Sequence, residues 1–287
     1  MLTREQVDAI FAWTIEARPA MYRDANEQLQ VVPGRNVLVR EDTNFALGFA
    51  SKGYGIIQPA DQMNLLHAAV GNGEAEYING GIFEGGKRLY IQLAIKGANF
   101  DVAGQEHGAY CLLGSANDTT GSAWIGFTPT RLSCMNQLKF ALRTLRNRIT
   151  FRHTKNAAAK MATVAAVMER ARGFFGVYNE EAHRLVAQRF TLQDMRSLVE
   201  ELWPTPKADN LVPGIERTRA RVIQLFDGAQ LGADAINGTK YGALNAVIEY
   251  VDHHQPRRGG TAGRMDSILF GSQPAVLKQS AYDRLAA

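Results

Sequence analysis

The sequence predicts an α+β protein in which an antiparallel β-meander precedes a long basic helix and the C-terminal half is mostly helical. Successive runs of strand-forming residues, separated by turn residues, occupy residues 75–128. Leucines at helical spacing follow them, and segments rich in Ala and Leu dominate from residue 157 onward. With 287 residues, of which 46% are hydrophobic, the chain has enough apolar surface to bury a sizeable core.

Residues 1–60 are predicted to form an N-terminal helix and an extended arm. Val7, Ile10, Phe11 and Ile15 have helical spacing over residues 3–18, and Pro19 is expected to end that helix. The following stretch, to residue 60, alternates β-branched or aromatic residues with Gly and Pro, which is typical of short strands.

Residues 61–155 are predicted to form the core, a sheet followed by a basic helix. Asp61 can cap a first helix that ends near Gly71. The four strand-type runs are AEYINGGIF, GGKRLYIQLAI, AYCLLGSAND and SAWIGFTPT, and Glu84-Gly85-Gly86 marks a hairpin between the first two. A helix is then expected from between Thr128 and Ser133 to about Thr150, with an apolar stripe of Leu138, Leu142, Leu145 and Ile149.

Residues 156–287 are predicted to be a helical C-terminal region. Helical patterns begin at Ala157 and continue over residues 192–202 and 240–252, and QPAVLKQSAYDRL closes the chain as another helix. The segment WPTPKADNLVPG, residues 203–214, is interpreted as a linker because it contains three prolines.

Positive charge is concentrated in one part of the chain. The segment from Thr119 to Met168 contains no Asp or Glu, and it carries eight Lys and Arg residues. Because the net charge of the whole chain is +4, the remainder carries −4. A local field of this sign attracts polyanions, so nucleic acid is the expected partner; the alternative is a solvated helix face neutralised by acids elsewhere in the fold.

Several cations are candidates for contacts with nucleic-acid phosphates, because guanidinium and ammonium groups neutralise phosphate oxygens. On a helical wheel, Lys139, Arg143 and Arg146 lie together beside the leucine stripe. The full set of candidates is Lys87, Arg88, Arg131, Lys139, Arg143, Arg146, Arg148, Arg152 and Lys155.

Four aromatic residues near these cations are candidates for base stacking, which contributes about 1–3 kcal/mol per base when the ring is exposed. They are Tyr90, Trp124, Phe127 and Phe151. The alternative is that they belong to the core, which is favoured for Trp124 because large aromatic residues in strands are usually buried.

The chain is expected to stay in the cytoplasm and to have no membrane partner. The N-terminus has charges at Arg4, Glu5 and Asp8, unlike a signal peptide, and no run of about 18 apolar residues occurs. In a reducing compartment, Cys111 and Cys134 are expected to be buried thiols without a disulfide.

Catalytic signals are few, so an enzyme is not expected. Glu249, Asp252 and His253, with His254, are weak candidates for a divalent metal, since Glu249 and His253 share a helical face. His153 together with Asp118 suggests acid–base chemistry, although a lone His in a basic stretch is more often structural.

Nucleotide cofactors are also not expected. GGIFEGG and GNGEAE lack the Gly-Lys-Ser/Thr of a phosphate loop, and no strand–GxGxxG–helix unit occurs. We therefore expect no cofactor.

Six segments resemble a phage/plasmid-like protein family of unknown function, across about the last four-fifths of the chain. They are GYGIIQP, LLGSANDTTGSA, TPTRLSCMNQL, FRHTKN, NGTKYGALNAVIEYVDHH and RMDSILFG with LKQSAYDRL. The family usually carries a His in the turn after the third strand, whereas this chain has Ser115-Ala116-Asn117-Asp118 there. A role that requires that His is therefore in doubt, and the resemblance itself implies no reaction.

The order of antiparallel strands and a long helix also resembles the core of the RecT, Redβ and Erf types of single-strand annealing protein. This second resemblance implies a phage or plasmid protein that binds single-stranded DNA in recombination or replication, assembles into homo-oligomers and hydrolyses no nucleotide. The alternatives are a non-enzymatic protein that binds a host defence or replication factor and, third, a metal-dependent nuclease-like enzyme.

Overall fold

The computed structural model describes residues 1–129, 149–154, 164–229, 235–256 and 273–287, and it has the α+β architecture expected from the sequence. The strands are β1 (Ile15–Arg23), β2 (Leu29–Arg40), β3 (Phe45–Ser51), β4 (Ala75–Phe83), β5 (Arg88–Ile95), β6 (Phe100–Val102), β7 (Gln105–His107), β8 (Tyr110–Ala116), β9 (Ala123–Thr128) and β10 (Ile149–Phe151). The helices are α1 (Arg4–Phe11), α2 (Pro59–Gly71), α3 (Val164–Val186), α4 (Leu192–Leu202), α5 (Val212–Gln224), α6 (Lys240–Glu249) and α7 (Gln273–Ala286).

The chain divides into two compact units. The first comprises the described residues of 1–96, 111–126 and 148–170, and the second those of 97–110, 127–147 and 171–287. The units interleave along the sequence, whereas the expected segments 1–60, 61–155 and 156–287 follow one another.

The N-terminal helix is shorter than the sequence predicts. Thr3 caps α1 in a capping box with Gln6, and the helix ends at Phe11. Residues 15–23 then form β1, so the prediction of a helix to residue 18 is wrong. Ile15 fits the helical spacing, but it is buried as the first residue of a strand. Pro19 is accommodated because β1 is an edge strand, where a missing N–H need not cost a ladder bond.

The first sheet has the order β1-β2-β3 and is antiparallel throughout. The pairing of β1 with β2 is interrupted between Pro19 and Met21, opposite residues 32–35 of β2, and resumes from Met21 to Arg23. Because β3 pairs with β2 only over Arg35 to Arg40, the hairpin beyond residue 20 is two-stranded. The sequence predicted short strands or an extended arm for this region, and the structure has the three strands β1, β2 and β3 there.

Helix α2 begins two residues before the predicted cap. Gln58 is the N-cap, and Asp61 is the third helical residue, whose carboxylate accepts the Gln58 backbone N–H at 3.2 Å. His67 ties this helix to its neighbours, since its Nε2 lies 2.8 Å from Asp8 Oδ1 and its Nδ1 is hydrogen-bonded to the Tyr77 hydroxyl.

The second sheet has five strands in the order β10-β9-β8-β5-β4. Its central strands β8 and β9 are buried almost throughout, which explains their continuous apolar sequences. Cys111 on β8 is a buried thiol as predicted, and burial raises its pKa to about 12. Cys134 lies outside the described residues.

Strand β10 was not predicted. Ile149 pairs with Ile125, and Phe151 pairs with Ala123, so the predicted helix cannot extend to Thr150. Ile149 is therefore not part of a helical stripe. The rest of that helix lies in 130–148, outside the described residues, and this segment connects two neighbouring strands.

The second unit consists of the β6–β7 hairpin and helices. Phe100 on β6 packs against Phe175 and Tyr178 on α3, with ring centroids 6.0 and 5.6 Å away. Helices α4, α6 and α7 lie where the sequence predicts them. The predicted linker 203–214 is shorter than expected, because α5 begins at Val212 and Pro213 fits its first turn, where no intrahelical N–H bond is lost.

The two sheets of the first unit meet at a close backbone contact. A Cβ atom on Gly48 of β3 would lie 2.5 Å from the backbone oxygen of Asp118, in the turn after β8. The neighbouring Thr119 has φ of 70° and donates its hydroxyl hydrogen to the Phe49 carbonyl at 3.1 Å. A positive φ is rare for a β-branched residue, so the packing holds this turn in place.

Replacing Gly48 with Ala should therefore destabilise the protein by about 1–3 kcal/mol, because the added methyl group forces two backbone segments apart. Gly53→Ala is the matched control, since a Cβ at Gly53 meets nothing within 4 Å. Urea unfolding measures both variants. Equal stability of the two variants would contradict the close contact.

Candidate nucleic-acid interface

Three of the predicted phosphate-contacting cations lie at one end of the five-stranded sheet. Arg88 begins β5 and Lys87 directly precedes it, and the Lys87 carbonyl accepts a hydrogen bond of 2.6 Å from the Asn117 N–H at the end of β8. Arg152 directly follows β10, whose last residue Phe151 pairs with the first residue of β9. Because the turn 117–122 joins β8 to β9, these cations share one sheet end.

The electrostatic surroundings of the three cations differ. Lys87 Nζ lies 3.9 Å from Glu84, and Arg88 lies 3.9 Å from Glu84 and 3.6 Å from Asp118. Arg152 is exposed, and within the described part of the chain it forms no ion pair. The Lys87 pair is long and partly exposed, so this side chain can exchange the Glu84 carboxylate for a phosphate at small cost.

The other six predicted cations lie outside the described residues. They are Arg131, Lys139, Arg143, Arg146, Arg148 and Lys155. Their role in binding therefore stays a prediction from the sequence.

The four candidate stacking rings are buried. Tyr90, Trp124, Phe127 and Phe151 are all 7% exposed or less, so none of them offers a face to a base. The alternative that they are core residues is the one that their burial supports, and the stacking role is corrected.

The reason for this burial is local packing. Gly114 on β8 leaves room for the Trp124 indole, since a Cβ there would lie 2.5 Å from the ring. Tyr90 stacks on Phe83 with centroids 5.3 Å apart, and Phe127 lies 6.2 Å from the ring of Phe174. Strands in the middle of a covered sheet bury both faces, so an aromatic residue there has no exposed side.

Three of the segments that carry the resemblance meet near the same sheet end. Tyr54 from GYGIIQP stacks on His153 from FRHTKN, with ring centroids 4.8 Å apart and an angle of 13° between the planes. His153 Nδ1 lies 3.2 Å from the Gly55 carbonyl, and the Gly55 N–H donates to the His153 carbonyl at 3.3 Å. Besides burial, the negative charge of Asp118, from LLGSANDTTGSA, raises the pKa of the Tyr54 hydroxyl.

Burial dominates the protonation of this cluster. It raises the pKa of Tyr54, and the negative charge of Asp118 adds to the increase. It lowers the pKa of His153, while the carbonyls of Gly55 and Ala116 partly oppose the decrease. Both groups are therefore neutral near pH 7, as expected for side chains that hold a junction together.

The chemistry available to this cluster is limited by access. The Gly55 carbonyl can only accept a hydrogen bond, so this contact favours the neutral His153 tautomer that carries its proton on Nδ1. Nε2 and the Tyr54 hydroxyl are buried and, within the described ranges of the chain, make no hydrogen bond. His153 therefore offers no exposed reactive atom for the predicted acid–base chemistry with Asp118.

His153 should also make the protein sensitive to acid. Because its pKa is lower in the folded state, the unfolded chain binds more protons below about pH 6.5, and the associated stability is lost as the pH falls through the folded-state pKa. His153→Gln keeps a donor for Gly55 without titrating, so it should lose less stability than the parent between pH 7 and 5. Urea unfolding at both pH values tests this. Equal losses would show that His153 does not titrate with folding.

Two of the weak candidates for a metal site pair with other side chains of the second, mostly helical unit. Asp252 and Lys278 are fully buried and form an ion pair, with Lys278 Nζ 2.5 and 2.6 Å from the two carboxylate oxygens. Glu249 lies 3.4 Å from His254 Nε2. Within the described residues, Glu249, Asp252 and His253 form no group that could hold a metal ion.

Sequence reasoning missed one exposed aromatic surface. Phe49 on β3 is 70% exposed, near the cations Arg35 and Lys52. The segment FALGFAS indicates a strand, but it does not reveal which of its aromatic residues faces outward.

The comparisons with known proteins identify a family without a known function. Its sequence profile, described as Domain of unknown function (DUF932), matches residues 46–269. No curated protein and no solved structure matches the chain. No helix within the described ranges is both long and apolar enough to span a bilayer. Because the profile covers well over half of the sequence, the chain belongs to the DUF932 family.

Proposed function

We propose that this protein binds single-stranded DNA through the acid-free segment between Thr119 and Met168. The observation that carries this proposal is the charge of +8 in fifty residues of a chain whose remainder carries −4. A field of this kind concentrates polyanions at the protein surface, and displaced counterions supply much of the binding free energy.

The described cations support the same partner. Lys87, Arg88 and Arg152 lie at one sheet end, and Arg152, itself part of the acid-free segment, is exposed.

We further propose an annealing role in phage or plasmid recombination or replication, with homo-oligomers and without nucleotide hydrolysis. This finer proposal depends on the order of antiparallel strands and following helices, which resembles that of the RecT, Redβ and Erf types. It predicts that single strands bind more tightly than duplexes in a gel-shift titration. It also predicts a large increase in mass on size exclusion when a single strand is added.

The salt dependence of binding provides the first test. The logarithm of the binding constant should fall linearly with the logarithm of salt concentration, at about −0.7 per phosphate contacted on a single strand. Fluorescence anisotropy with a labelled oligonucleotide at four or more salt concentrations measures the slope. A slope near zero would exclude the acid-free segment as the main source of affinity.

Charge reversal within the segment provides the second test. The double variant Arg143→Glu and Arg146→Glu should abolish binding at physiological salt, because each change removes a phosphate contact and adds a repulsion. Because the helical wheel places both residues beside the leucine stripe, the free energy of unfolding is expected to change by about 0.5 kcal/mol or less per site.

The matched control reverses two exposed arginines of the helical unit, Arg196→Glu and Arg217→Glu, which alters the net charge equally. The control should retain most of the binding. If both double variants bind as the parent does, the acid-free segment is only a solvated surface.

A further inference from the structure

The outer face of the three-stranded sheet carries an aromatic ring that no described residue of the first unit covers. Arg18, Val37 and Phe49 are directly paired across the three strands, so their side chains share one face. Arg35 and Ser51 are paired two positions further along these strands, so they lie on the same face as Val37 and Phe49. Phe49 is 70% exposed, the largest value for any Phe, Tyr or Trp among the described residues.

The opposite face of the sheet is packed, which defines the orientation of Phe49. Leu38, Leu47 and Ala50 are all buried, and Gly48 contacts the backbone of Asp118. The Phe49 carbonyl accepts the Thr119 hydroxyl hydrogen. The strand is thereby held from its inner side, so the ring is presented outward on a rigid backbone.

Two cations next to Phe49 are available to an external anion. Arg35 and Lys52 are exposed, and within the described parts of the chain neither forms an ion pair. They are adjacent, since Arg35 pairs with Ser51 and the Lys52 N–H donates to the Gly34 carbonyl at 3.0 Å. Arg18 is already held by Glu16 at 2.8 Å and by Asn44 at 3.0 Å.

An exposed ring beside unpaired cations is the combination that binds single-stranded nucleic acid without reading its sequence. The only acid that shares this outer face in the paired region, Glu16, is neutralised by Arg18, so the face is complementary to a polyanion. An apolar protein partner would instead leave Arg35 and Lys52 desolvated and unpaired, at considerable cost.

We infer that Phe49 is a stacking platform for an unpaired base, and that Arg35 and Lys52 contact the flanking phosphates. This inference rests on the proposed function and adds a second contact region to it, on the three-stranded sheet. It also replaces the four buried rings as the source of base stacking.

The test is the affinity of Phe49 variants for a labelled single-stranded oligonucleotide and for the same strand with abasic sites. Phe49→Ala should weaken binding to the normal strand about 5- to 150-fold, the range for one stacked base. Phe49→Trp should restore it. Leu211→Ala is the matched control, because Leu211 is an exposed apolar residue of the other unit, and it should have no effect.

The abasic strand separates stacking from a general loss of structure. The parent should bind it more weakly than the normal strand, whereas Phe49→Ala should bind both strands alike. The double variant Arg35→Gln and Lys52→Gln should make the slope of the logarithm of the binding constant against the logarithm of salt concentration less steep. The expected decrease is about 0.7 for each lost phosphate contact.

The outcomes distinguish this inference from the proposed function. If the parent binds single strands and the Arg143/Arg146 reversal weakens binding, but Phe49→Ala does not, then the inference is overturned and the proposed function stands. If Phe49→Ala abolishes binding of a co-purifying protein and leaves the oligonucleotide affinity unchanged, the face is a protein interface and the inference is again overturned. A parent protein that binds no strand overturns both.

Discussion

The contact between Gly48 and Asp118 is the constraint on which the first unit depends. Two backbone segments approach more closely there than any side chain would allow, which joins the three-stranded sheet to the end of the five-stranded sheet. The neighbouring Thr119 has a positive φ, and its hydrogen bond to the Phe49 carbonyl compensates part of that strain. Because the inner face of the small sheet is committed to this junction, its outer face must point away from the core.

The junction between the two sheets also explains part of the resemblance to the family. Tyr54, Asp118 and His153 come from three separate segments that resemble the family, and they gather beside this contact, where the Tyr54 hydroxyl and His153 Nε2 are buried. A buried His with a lowered pKa, stacked on a Tyr, joins a loop to a strand end without exposing a reactive group. The pattern that makes the family recognisable therefore describes packing at least as much as chemistry, which agrees with the absence of a known function.

Elements with a strong local signal could be predicted from the sequence. The apolar runs of β8 and β9 and the helical patterns of α4, α6 and α7 have only one compatible periodicity, and the structure places each where it was expected. The errors occurred where tertiary contacts decide. Ile15 continues the spacing of α1 by coincidence, and β10 has only three residues, too few to define a period. Pro19 suggests a helix end, although an edge strand accepts it equally well.

The candidate interface also has one feature that the sequence shows and one that only the structure shows. This difference has a functional consequence. Clustered charge is visible in a sequence because it requires no knowledge of which residues face outward, whereas an exposed ring can be recognised only once the faces of a sheet are known. Phosphate contacts alone attract single strands and duplexes alike, since both present the same backbone groups. A ring such as Phe49 can stack only on a base that is not already stacked and paired in a duplex. The preference for single strands would then depend on the three-stranded sheet, while the acid-free segment would supply most of the affinity.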